Sequence, residues 1–107
     1  MFRPACVFSV LLFALTLAVS AAEEPSFRED VIPLLTRAGC NQGGCHGKLA
    51  GQNGFKLSLR GFAPEEDYDH LTREGRGRRL NFAQPDASLI LTKSLNTEAH
   101  EGRARFA

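Results

Sequence analysis

Hydrophobic positions divide the chain into an apolar leader, three helical stretches and a glycine-rich loop. Residues 5–19 form an apolar run. Arg3 precedes the run and the small residues Val19-Ser20-Ala21-Ala22 follow it, the layout of a secretory signal peptide over residues 1–22 with cleavage after Ala21 or Ala22. If left uncleaved, the same run would act as a membrane anchor at the short end of spanning length. Ser26-Phe27-Arg28-Glu29 has capping-box spacing, and Phe27, Val31, Leu34 and Leu35 recur at helical intervals, predicting a first helix over 27–38. Pro33 lies inside it and predicts a kink or a tightened second half, and Gly39 predicts its end. Five glycines between Asn41 and Gly54 predict a loop.

Beyond the loop, Phe55, Leu57 and Leu59 alternate with polar residues, which predicts a short extended segment ending at Gly61. Pro64 followed by three carboxylates starts a second helix over 64–74, with Tyr68 and Leu71 on one face and Gly75 closing it. A third helix starts at Pro85-Asp86 and brings Leu89, Ile90 and Leu95 to the core, with polar loop after it. No internal repeat or low-complexity tract is present. The predicted fold is all-α, one small domain over 23–107 with three helices, one extended segment and long loops.

Composition narrows the function. The 107 residues carry 13 Lys and Arg against 12 Asp and Glu. Loss of Arg3 with the leader leaves a nearly neutral domain, which argues against a nucleic-acid partner. Arg73, Arg76, Arg78 and Arg79 form a local basic stretch, read as a solvated loop or, more sharply, as a dock for haem propionates or an acidic redox partner. A domain this short usually needs a disulfide, metal or cofactor to complete its core. Export places it in the periplasm or another extracytoplasmic space, where Cys6 has left with the leader and Cys40 and Cys45 oxidise unless occupied.

The chemistry lies in Cys40-Asn41-Gln42-Gly43-Gly44-Cys45-His46. Two thiols followed directly by an imidazole are the arrangement that bonds both haem vinyl groups and holds the histidine beneath the iron. Four residues separate the cysteines where two are usual, and Gly43 and Gly44 are expected to give the longer loop its freedom. A Cys40–Cys45 disulfide in a haem-free interaction module is one alternative. Zinc is another, although neighbouring Cys45 and His46 do not easily reach one tetrahedral ion. For the sixth iron position methionine is unavailable, since Met1 is the only one and leaves with the leader. His100, in the last loop, is favoured over His70, on the second helix; a lysine or an open iron in a gas or redox sensor stay as further options. The cluster offers no acid-base pair or activated nucleophile, so the expected role is electron carrier, not enzyme.

Read together, 27–35 (FREDVIPLL), 39–47 (GCNQGGCHG), 54–61 (GFKLSLRG), 67–71, 77–81 and 85–93 resemble the planctomycete cytochrome c family, whose domains stand at the front of larger exported proteins. The resemblance covers most of the chain after the leader. It implies a class I cytochrome c-like fold and covalent haem c on Cys40 and Cys45. It also implies iron ligation by His46 and His100, one-electron transfer with a redox partner protein of unknown identity, and dependence on haem-attachment machinery. The family shows a His-x-Gly-Gly stretch and a final helix. Here His100 is followed by Glu101, Gly102 and Arg103, and the chain stops at Ala107. A missing final helix is expected to expose Phe27 and Leu34.

Overall fold

The computed structural model describes residues 21–106; the leader up to Ser20 lies outside the described residues. The elements in order are a π-helical turn (Phe27–Val31), helix α1 (Ile32–Arg37), helix α2 (Pro64–Thr72) and helix α3 (Leu89–Ser94). Single 3-10 turns lie at Leu59–Gly61, Glu74–Gly77 and Pro85–Ala87. The domain is all-α: among the described residues no strand forms, and Gln52 and Phe55 make one isolated antiparallel bridge. No helix among those residues is long and apolar enough to cross a membrane.

The first helical stretch starts as its capping residues require, with one displacement. Ser26 Oγ accepts from the Glu29 amide at 3.2 Å, but the reciprocal bond from the Ser26 amide goes to Asp30 Oδ2 at 2.7 Å and not to Glu29. The cause is the wide first turn, in which the Val31 amide donates to the Ser26 carbonyl at 3.2 Å and the Ile32 amide to that of Phe27. Pro33 explains the widening. With α1 restarting at Ile32, the proline stands in a first turn, where its missing N–H is not needed. The anticipated kink is thus a widened first half, not a tightened second half.

Helix α1 closes in a Schellman motif. Gly39, at φ +78°, donates to the Thr36 carbonyl at 3.1 Å, and Cys40 donates to that of Leu35 at 2.9 Å. The first cysteine is thereby fixed one residue beyond a rigid cap.

The alternation at Phe55, Leu57 and Leu59 does not make a strand. Leu57 is buried and its amide donates to the His46 carbonyl at 2.8 Å, but Leu59 is half exposed because the chain already turns over Leu59–Gly61. An extended run without a neighbouring strand has no ladder to continue. Helix α2 ends at Thr72, two residues short of the expected position, where left-handed Gly75 and Arg76 set the following turn. Its Asp67 is fully buried and accepts from the Ser58 amide at 2.5 Å and Ser58 Oγ at 2.6 Å, tying α2 to the chain that leaves the loop.

At the third stretch Pro85 opens only a 3-10 turn. Ser88 is extended, and α3 starts at Leu89. Leu89 and Ile90 are half-buried, whereas Leu95, expected in the core, is 42% exposed. The buried aliphatic side chains among the described residues are those of Ile32, Leu35, Leu57 and Leu71, joined by Pro64, a thin core for a domain of this length. Leu34 is 47% exposed, but Phe27 is half covered, its ring edge-on to Tyr68 at 5.2 Å and 79°.

Candidate functional site

Beside the thin core lies a cavity of about 840 Å³. Its wall is built by the loop after α1, by Phe55, by α3 and by the final loop, and it is lined by Cys40, Cys45, His46 and His100. These are the four residues singled out from the sequence. His70 does not line it, and its Nδ1 bonds the Lys56 carbonyl at 3.0 Å.

Each cysteine reaches the cavity for a local reason. Cys40 follows the Schellman cap, and the loop then folds tightly back, with the Cys45 amide donating to the Gln42 carbonyl at 2.9 Å and the His46 amide to that of Cys40 at 3.0 Å. Both thiols are free and partly buried. Burial pushes the Cys40 thiol up, against the pull of the Arg105 guanidinium. The glycines that make this fold possible are not the expected pair. Neither Gly43 nor Gly44 has a positive φ, and a side chain on either would meet nothing within 4 Å. Gly47 is the tight position, where a Cβ would press on the backbone of Asn41 and Gln42.

Both imidazoles are held by the same nitrogen. His46 Nδ1 bonds the Phe55 carbonyl at 2.8 Å, and His100 Nδ1 bonds that of Arg103 at 3.0 Å. A carbonyl can only accept, so each ring donates from Nδ1, and in the neutral tautomer Nε2 is the free lone pair. The rings are parallel to within 4°, with centroids 6.3 Å apart. That interval is too wide for ring-on-ring contact. Burial lowers the basicity of His46, and the charges of His100 and Arg79 act the same way against the raising effect of the Phe55 hydrogen bond. At neutral pH the ring is neutral, the form that binds metals.

No family model, curated protein or solved structure matches the chain. Among the described residues no three His, Cys, Asp or Glu side chains gather as a metal cage. The donor set fits haem c: two thiols, an adjacent imidazole, a second imidazole, and a volume within the range of about 300–1,000 Å³ that cofactors occupy.

Several contributors gave no signal in the sequence. Phe55 supplies both the carbonyl for His46 and a ring 4.7 Å from its imidazole. Arg105 Nη2 lies 3.9 Å from Cys45 Sγ across sixty residues of chain. The basic stretch splits by environment: Arg73 pairs with Asp69 on the surface, Arg78 reaches the cavity, and Arg79 is buried. The solvated-loop reading holds for Arg73 and Arg76 and fails for Arg79.

Proposed function

We propose that the chain is an exported c-type cytochrome domain that bonds haem c through Cys40 and Cys45, ligates its iron with His46 and His100, and transfers single electrons. The observation that carries this reading is the pair of parallel imidazoles facing the same cavity as both thiols, each with Nδ1 committed to a backbone carbonyl. The resemblance to the planctomycete cytochrome c family supports it through the same residues and extends it to a class I cytochrome c-like fold. Bound haem would supply a one-electron ferric/ferrous couple. The protein's part is to hold both Nε2 lone pairs ready, exclude water with Phe55, Leu89 and Ile90, and present an edge to a redox partner. The thin core is consistent with a cofactor that completes it.

The test is to express the full chain with a haem-attachment system, denature the product and record its absorbance. The expected result is a haem band that stays with the polypeptide. A colourless product lacking two protons by mass assigns Cys40 and Cys45 to a disulfide and refutes the reading. His100→Ala should turn a six-coordinate spectrum into a five-coordinate or water-bound one, whereas His70→Ala should leave it unchanged.

A further inference from the structure

Arg79 is a buried cation for which the proposed ligand set has no use. It is 5% exposed, and a guanidinium in such a position is tolerated only when its donors and its faces are matched. Nη1 donates to the His70 carbonyl at 2.6 Å and to Glu74 Oε2 at 2.8 Å, and Nη2 donates to the Gly54 carbonyl at 2.9 Å. The face of the group lies 4.4 Å from the centre of the Phe55 ring. Only a planar fork serves those acceptors and that face at once; a lysine offers a point charge instead.

What Arg79 grips is the support of His46. It holds residue 54 by the carbonyl and residue 55 by the ring. Phe55 in turn accepts from His46 Nδ1 at 2.8 Å and lays its ring 4.7 Å from the imidazole. The Arg79 carbonyl also accepts from the Ile90 amide at 3.2 Å, joining this clamp to α3 on the other wall of the cavity. A neutral side chain of similar shape would fasten the loop as well. The guanidinium adds a permanent positive charge one aromatic ring away from the imidazole.

We propose that Arg79 is a positioning residue for His46, acting through Phe55: it locks the cavity-lining imidazole in the orientation set by its Nδ1 bond to the Phe55 carbonyl, and its charge favours the reduced state of whatever one-electron centre His46 ligates. The redox half of this statement rests on the haem reading; the positioning half does not.

The experiment compares full-length wild type, Arg79→Gln and Arg79→Lys, each produced with the haem-attachment system. It measures reduction potential, the imidazole nitrogen and Phe55-to-His46 proton signals by NMR, and thermal unfolding. Arg79→Gln should shift the equilibrium about tenfold toward the oxidised form, which for one electron is about 59 mV. That factor is the order expected of one unit charge within about 10 Å at an effective dielectric near 20. Arg79→Lys keeps the charge and should hold the potential within about threefold of wild type, while still weakening the Phe55-to-His46 signals, since it cannot match the fork. Coloured variants whose potential and His46 signals equal those of wild type, with only the unfolding midpoint lowered, would overturn the proposal and leave Arg79 a structural clasp. Colourless protein whose Phe55-to-His46 signals persist and weaken on substitution refutes haem binding but upholds the positioning. Colourless protein without those signals overturns both.

Discussion

Gly47→Ala is the sharpest perturbation of the cysteine loop. An added Cβ would fall 2.6 Å from the Asn41 carbonyl carbon and 2.8 Å from the Gln42 oxygen, and nearer still to the Asn41 oxygen. All three are backbone atoms that cannot rotate away. The Asn41 carbonyl accepts from the Arg60 amide at 3.1 Å, and the Gln42 carbonyl accepts from the Cys45 and Gly47 amides at 2.9 and 3.0 Å, so movement of either strains the turn that presents Cys45 and His46. The Asn41 side chain is fully buried with its Oδ1 unpaired, which leaves little room for compensation. Overpacking of this kind costs about 1–3 kcal/mol. At about 2 kcal/mol the midpoint of a domain this size falls by roughly 8–16 °C. Thermal unfolding followed by far-UV circular dichroism measures the loss, and the yield of covalent haem should fall with it. Gly43→Ala and Gly44→Ala are the controls. Neither residue has a positive φ and neither added Cβ meets anything, so both should stay within about 0.5 kcal/mol of wild type or gain slightly from a less flexible unfolded chain. If Gly47→Ala unfolds within about 2 °C of wild type, or if all three variants fall equally, the packing argument is wrong.

Other outcomes follow from single contacts. Asp67→Ala strands the buried Ser58 amide and hydroxyl and should cost about 3 kcal/mol, read as a lower urea midpoint at unchanged slope. The lowered basicity of His46 gives the haem-free chain a pH-dependent stability. The unfolded ring binds a proton at higher pH than the folded one, so the contribution is complete above the unfolded value near about 6.5 and is lost as pH falls through the lower folded value. Urea midpoints between about pH 7.5 and pH 5 should show this loss, and His46→Gln should reduce it. Alkylation of Cys40 should rise with a midpoint above the ordinary thiol value, and Arg105→Gln should move that midpoint further up, as mass spectrometry over a pH series would record. With two imidazoles on iron, the potential of the loaded protein should lie below that of His/Met cytochromes; a strongly positive value would refute that ligation.

Local chemistry carried much of the chain directly from sequence to structure. Ser26 caps the first helical stretch, Gly39 ends it in a left-handed turn, Pro64 and its carboxylates begin α2, and Cys40, Cys45 and His46 stay together because seven consecutive residues cannot part. These features depend on neighbours within about five positions, so periodicity and residue type suffice to find them. Boundaries were less legible. The wide turn before Pro33 comes from how the proline is accommodated, the start of α3 is delayed to Leu89 by the extended Ser88, and no strand forms at Phe55. For the last of these, the reason is that no second strand is available to pair.

The sequence favoured His100 over His70 as the partner of His46 without placing either, and only the tertiary structure decided the placement. The fold ties His70 to the Lys56 carbonyl and brings His100 parallel to His46 on the wall of one cavity. It also buried Arg79 while leaving Arg73 and Arg76 in solvent, and made Gly47, not Gly43 or Gly44, the glycine that the loop requires. Each of these outcomes turns on which backbone atoms stand close in space. Separation along the chain does not encode that proximity, whereas the covalent spacing of the cysteines and His46 is fixed before folding begins.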